Sequence, residues 1–457
     1  MAVFGGSGYP GESEDCLYLN VYAPAEGTGK SVMFWIYGGD LEFGTAGQYL
    51  FDGSSMASNQ DIVVVSANYR TNGNLSPPSP STALQYVKLT KPVFGFSNSP
   101  ELPITARNAG FLDQRLALDW VQRNIASFGG DPKKVTIFGE SAGAGSVDRL
   151  VTVPPQPIPF RGAIAQSGQA SVSPIPGDAG PMSWAFLVAA LNCTTAASQL
   201  ACVRAADAET IENIVQQNAL SFSPVTDNVT QITLPVNRTK YQSVPYMIGT
   251  NGQEGRVLEV GQTNLTAAVA QAFPESALLQ QLILEVYAIG TPGINSAYDA
   301  VSQIYTEYVF QCPAALVANE SALAGFPTWR YYYNASIPNI NPNAALAALG
   351  LPGLNLGAFH NSEIAMVFGT YPSEGATAQE VILSRYMQTA WANFAKDPAG
   401  KGPGWPSYGS SKGVNAVGLA DLGAEGTMGS VMIPEYDVDY RCPLYTAIYA
   451  VVNTPAF

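Results

Sequence analysis

The chain has 457 residues, a formal net charge of −14 at pH 7 and only 12% charged residues. Its length leaves room for up to about three domains, yet no long polar linker divides it. Lysine and arginine total 21 against 35 acidic residues, so no basic stripe exists to track phosphates and nucleic acid is not an expected partner. No apolar run reaches the length of a membrane span; residues 344–359 come nearest, and glycine and proline interrupt them.

In chain order, the opening Met1-Ala2-Val3-Phe4-Gly5-Gly6 has neither the basic nor the apolar region of a signal peptide. Residues 17–22 alternate as a strand does, and residues 31–37 read as a buried strand. That run ends in Tyr37-Gly38-Gly39-Asp40-Leu41, a turn whose glycines free backbone N–H groups to face a ligand. Residues 62–65 form another central strand. Residues 73–92 are rich in Ser and Pro and lack periodicity, an uncommonly long loop for a compact domain. Residues 108–127 carry apolar side chains at helical spacing, stopped by Gly129-Gly130-Asp131-Pro132.

The apolar run Lys134-Val135-Thr136-Ile137-Phe138 then leads into Gly139-Glu140-Ser141-Ala142-Gly143, and residues 144–150 read as a helix. A serine on a sharp strand-to-helix turn presents its hydroxyl above the sheet edge. Ser141 is therefore a candidate nucleophile; the plainer reading is a turn serine capping a helix. Residues 162–166 and 245–249 read as further strands. Strands alternating with helices give an α/β class with a mostly parallel sheet covered on both faces. We take residues 1–457 as one domain without internal repeats.

A nucleophilic serine needs a base, and the chain has a single histidine, His360. If Ser141 works through imidazole, His360 takes and returns its proton; otherwise it is a hydrogen-bonded core histidine. The acid that orients such a base falls between serine and histidine in chain order. Glu254, just beyond the 245–249 strand, and Asp227, on a Pro-Val-Thr-Asp turn, both qualify. Backbone N–H groups of Gly39, Asp40 and Ala142 are the candidate donors to a tetrahedral oxyanion. The five cysteines show no metal-ligand spacing and read as disulfide partners plus one left over. Asn-x-Ser/Thr acceptors at Asn74, Asn192, Asn228, Asn237, Asn264, Asn319 and Asn334 point to the secretory route.

Glu14-Asp15-Cys16-Leu17-Tyr18-Leu19-Asn20-Val21-Tyr22 and Phe138-Gly139-Glu140-Ser141-Ala142-Gly143 resemble the two signatures of type-B carboxylesterases, the cholinesterase and fungal lipase family. Asn68-Tyr69-Arg70, residues 108–115 and Gln166-Ser167-Gly168 match further landmarks, so the likeness runs from Glu12 to about Cys442. The resemblance implies an α/β-hydrolase fold and hydrolysis of a small-molecule or lipid ester, with no metal or cofactor. It makes Ser141, Glu254 and His360 the triad, choosing Glu254 over Asp227. It also implies that Ser167 hydrogen-bonds the acid, that Glu140 and Glu363 are buried carboxylates near the site, and that Cys193–Cys202 and Cys312–Cys442 are disulfides. Phe359 and Trp184 are candidates to line an acyl pocket. The different-class alternative is a catalytically silent relative acting in binding or adhesion.

The departures from the family pattern carry their own expectations. The chain starts almost on the first signature, which suggests a truncated N-terminus of a secreted protein and leaves Cys16 as the odd thiol. Residues 73–92 interrupt a stretch that is continuous in the family, which suggests an insertion or retained intron. Asp40 stands where the family has a small residue, so its carboxylate is expected to point away, to be paired or to be protonated.

Overall fold

The computed structural model describes residues 15–71, 95–172, 180–274, 276–409, 417–424 and 427–452; the 73–92 segment and Asn74 lie outside them. Nine strands form one sheet: β1 (Leu19–Tyr22), β2 (Lys30–Ile36), β3 (Val63–Ala67), β4 (Gly130–Glu140), β5 (Gly162–Gln166), β6 (Tyr246–Asn251), β7 (Thr328–Tyr333), β8 (Val417–Leu422) and β9 (Ser430–Pro434). Their spatial order is β1-β3-β2-β4-β5-β6-β7-β8-β9. From β3 across to β8 every pairing is parallel, while β1 and β9 close the two edges antiparallel.

The central strands are continuous apolar runs because helices cover both faces. β3 (VVVSA) and β5 (GAIAQ) are buried at every position, whereas the edge strand β1 is half-buried throughout. The covering helices include α1 (Ala109–Asn124), α2 (Ala142–Thr152), α3 (Cys312–Leu323) and α4 (Ala378–Lys396). α1 buries Phe111, Leu118 and Val121, three positions on one helical face. α4 starts from a capping box in which Thr377 and Glu380 satisfy each other's backbone N–H groups. Trp35 of β2, Phe138 of β4 and Phe368 pack ring against ring, with Trp35 at 4.8 Å from Phe138 and 5.0 Å from Phe368.

The fold is the α/β-hydrolase arrangement expected from the resemblance, with local differences. The 108–127 helix is α-helical only to Asn124 and then tightens into a 3₁₀ turn over Ile125–Phe128 before Gly129. β7, β8 and β9 are not among the strands read from the apolar pattern; β7 (TWRYYY) carries a charge buried in a pair, Arg330, which is 1% exposed and donates to Asp439 at 2.9 Å. Both disulfides form, Cys193–Cys202 and Cys312–Cys442, and Cys16 is free. Trp184 packs in a satellite core with Leu187, Val203 and Ile211, and Phe359 packs with Val257 and Leu356; both are plain core. No helix of the described residues is long and apolar enough to cross a membrane.

Candidate active site

Ser141 is the hinge between β4 and α2, with φ 56° and ψ −124°. A non-glycine residue held there stores about 1–3 kcal/mol. Two bonds hold it: Ser141 N–H donates to Gln166 O at 2.9 Å, and Gly145 N–H donates to Ser141 O at 2.9 Å. The turn also needs its glycine. A Cβ on Gly143 would lie 2.1 Å from Ile36 O and 2.7 Å from Tyr37 O, so only glycine lets the first turn of α2 sit against the end of β2.

The end of β2 therefore delivers the Gly38–Leu41 turn to the nucleophile. A Cβ on Gly38 would meet Ser141 Cβ at 2.9 Å and Glu140 Oε2 at 2.8 Å. Gly39, Asp40 and Leu41 all have positive φ, at 103°, 56° and 60°. The N–H groups of Glu42 and Phe43 fold back onto Gly39 O at 2.9 and 3.1 Å. Those of Gly39, Asp40 and Ala142 have no acceptor among the described residues. Ala142 also opens α2, where the helix dipole favours negative charge.

The acid and the base come from two loops stitched together at the end of β6. Gln253 N–H donates to Ala358 O at 2.9 Å, and Ala358 N–H donates back to Gln253 Oε1 at 2.7 Å. Glu254, fully buried, accepts from Asn251 N–H at 2.7 Å and from His360 Nδ1 at 2.7 Å. The other face of the imidazole's surroundings is aromatic: the Phe310 ring lies 4.6 Å from it. On the far side of the ring, His360 Nε2 sits 3.1 Å from Glu140 Oε1, a charge contact without the alignment of a hydrogen bond. Because Glu140 immediately precedes Ser141, Nε2 faces the turn that carries the hydroxyl.

Burial is the largest influence on His360 and pulls its imidazolium down. Glu140, then the bond and charge of Glu254, then Glu363 outweigh it, and His360 is pushed up to about 9. Burial pushes Glu140 up to about 8, against the attraction of His360. Burial pushes Asp40 up to about 6, with His360 opposing the rise. Solvent reaches the Asp40 side chain, which tempers that rise.

A second layer fixes the acid. Asn251 Nδ2 donates to Phe359 O at 2.8 Å and to Glu363 Oε2 at 2.6 Å, while Gln166 Nε2 donates to Glu363 Oε1 at 3.0 Å. Trp391 Nε1 in turn donates to Gln166 Oε1 at 2.8 Å. Glu363 is thus a buried carboxyl held by amides, and Asn251 and Gln166 are positioning residues that sequence reasoning missed. Both adjoin quoted landmarks, but nothing in those stretches says which way an amide points.

The bond expected from Ser167 to the acid is not formed. Ser167 is buried with φ 51°, and its Oγ has no hydrogen-bond partner; Asn251 N–H takes that place on Glu254. Asp227 accepts from the N–H groups of Val229, Thr230 and Gln231 at 2.9, 2.7 and 3.0 Å, a turn cap with no tie to His360.

The sequence profile of the carboxylesterase family matches residues 3–74 and 92–422, passing over 75–91. Carboxylesterase 1C of Rattus norvegicus is 32% identical over 447 residues, covering 91% of this chain and 75% of the relative. Liver carboxylesterase 1 of Oryctolagus cuniculus is 31% identical over 455 residues, covering 90% and 75%. Carboxylesterase 5A of Felis catus is 33% identical over 434 residues, covering 88% and 73%. With a matching profile over most of its length, relatives of that name at about one-third identity and the nine-stranded sheet to carry the site, the chain belongs to the carboxylesterase family.

Proposed function

We propose that this carboxylic ester hydrolase works through a Ser141–His360–Glu254 triad and an acyl-enzyme. Ser141 Oγ attacks the ester carbonyl while its proton passes to His360 Nε2. The N–H groups of Gly39, Asp40 and Ala142 hold the oxyanion. Collapse expels the alcohol, protonated by the imidazolium, and leaves the acyl group on Ser141. Water, activated by His360, then releases the acid. Glu254 keeps Nδ1 protonated and turned away from the serine. The observation that carries this reading is the 2.7 Å bond from His360 to buried Glu254 beside a strained serine turn. A catalytically silent relative is not favoured, because the chain keeps a serine, an acid and its single histidine at the three positions that the resemblance names.

Fluorophosphonate labelling read by peptide mass tests it. Labelling of Ser141 that is lost in Ser141→Ala and sharply slowed in His360→Ala is expected. A folded chain that is not labelled at Ser141 refutes the mechanism.

The two disulfides are compatible with a secreted or lumenal protein, and we extend this to secretion with N-glycosylation. Asn192, Asn228, Asn237, Asn264 and Asn319 are exposed acceptors; a mass unchanged by amide-cleaving glycosidase, in protein from a glycosylating host, counts against it. We also keep residues 1–457 as one catalytic domain interrupted by an insertion or retained intron at 73–92. The profile's gap at 75–91 supports that reading, and a mature transcript carrying these codons removes the intron.

A further inference from the structure

The helix of Ala297–Tyr305 passes at its end into a six-residue π-helix, Thr306–Gln311, before α3 begins at Cys312. A π-turn forces an extra residue into the helical ladder, and such turns gather at functional sites. This one is fixed from behind. Buried Glu307 accepts from Gln303 Nε2 at 2.7 Å and from Arg441 Nη1 at 2.8 Å, and it also takes the Tyr287 hydroxyl. Directly after the π-helix, Cys312 is joined to Cys442.

The π-helix also meets the triad at two points. Thr306 is 1% exposed, and its Oγ1 accepts from Gly255 N–H at 2.9 Å while donating to Ser302 O at 2.8 Å. Gly255 directly follows Glu254, and the two segments touch backbone to backbone: a Cβ on Gly255 would lie 2.2 Å from Ser302 O. About one turn of helix beyond Thr306, the Phe310 ring lies 4.6 Å from the imidazole of His360. One rigid element therefore supports the acid loop with a hydroxyl and the base with a ring. Asn251 N–H and His360 hold only the carboxylate of Glu254; Thr306 holds the backbone that carries it.

We propose that Thr306 is a positioning residue for ester hydrolysis, its hydroxyl seating the Glu254–Gly255 backbone so that the carboxylate stays on His360 Nδ1, with Phe310 steadying the ring from the same π-helix. This rests on the triad reading. Without the hydroxyl, the Gly255 N–H is buried without an acceptor, and the loop shifts to relieve it. A displacement of about 1 Å at a catalytic group costs on the order of 100-fold in rate.

The test compares Thr306→Val, which keeps the branched shape and removes the hydroxyl, with Thr306→Ser, which keeps the hydroxyl. Turnover of an uncharged ester is expressed per Ser141 titrated with fluorophosphonate, and His360 is followed in ¹⁵N-histidine-labelled protein. In Thr306→Val, kcat should fall by about 10-fold or more with KM within about 2-fold of native. The downfield proton signal of the Nδ1 bond to Glu254 should weaken. The His360 titration should fall from about 9, because that bond is one of the influences holding it up. Glu140, Glu363 and Asp40 also act on His360 and are unchanged by the substitution. Thr306→Ser should restore all three readings. A role in packing alone would lower the melting temperature and leave turnover per titrated site and the titration where they were. Native turnover and titration in Thr306→Val, or a serine variant as impaired as the valine one, overturns the proposal. Should the valine variant fail to fold, Thr306→Ala is read by the same criteria, and Phe310→Leu reads the support of the base separately; native kcat in both overturns it. Turnover that survives Ser141→Ala sinks the triad reading, and this inference with it.

Discussion

Replacing Glu140 by Gln removes one charge from beside the base while keeping the shape of the side chain. In the structure that carboxylate is 3.1 Å from His360 Nε2. At an effective dielectric of 20, its attraction for the imidazolium is about 5 kcal/mol. That sets a ceiling of about four pH units on the shift, at 1.36 kcal/mol per unit. The realised effect is smaller, because Glu140 itself gives up its charge below about 8 and Glu254 remains bonded to Nδ1. We therefore expect His360, held up at about 9 in the native chain, to fall by at least about one unit in the variant. Catalysis needs the neutral imidazole, so activity is lost as pH falls through this value. The acid limb of kcat/KM for an uncharged ester, followed by pH-stat, should move down by the same amount. The chain's single histidine allows a direct second reading, since selective ¹⁵N-histidine labelling gives one imidazole to titrate. A histidine titration that moves by less than about half a unit would refute the claim that the Glu140 charge helps to hold His360 up.

Three further outcomes follow from the packing. Asp148→Asn should destabilise the fold by about 3–5 kcal/mol in denaturant melts, because it leaves the fully buried Arg238 guanidinium without its charge partner; a loss under about 1 kcal/mol would show that Ser171 and Gln242 suffice to hold it. Replacing Cys312 and Cys442 by Ala should cost more than replacing Cys193 and Cys202, since the loops closed are 130 and 9 residues; chain entropy sets ceilings of about 5 and about 2.6 kcal/mol. Equal losses would place the effect in native contacts instead. Gly143→Ala forces a Cβ to within 2.1 Å of Ile36 O, so it should abolish fluorophosphonate labelling of Ser141 in a chain that still folds; full labelling would mean that α2 can shift without moving the serine.

Much of the fold is legible in the sequence because its causes are local. The apolar runs of β2 to β6 are readable because both faces of the sheet are covered, and the ends of β2, β3, β5 and β6 could be read to within about two residues, whereas β4 begins at Gly130, four residues before the run that was read. The Gly-x-Ser-x-Gly turn was readable for the same reason, its geometry being set within five residues. One histidine in the whole chain named the only possible imidazole base before any coordinates existed. The acid was different: position alone left Glu254 and Asp227 open, and a resemblance made the choice. Only the tertiary structure shows Asp227 tied into its own turn and Glu254 bonded to His360. Only it places Glu140 against a ring 220 residues further along, and lets Asn251, rather than Ser167, steady the acid. Such contacts join residues on separate strands and loops, and side-chain direction at a strand end depends on which strand lies next to it. The order of strands in the sheet is a property of the packed whole, and no periodicity within a segment encodes it.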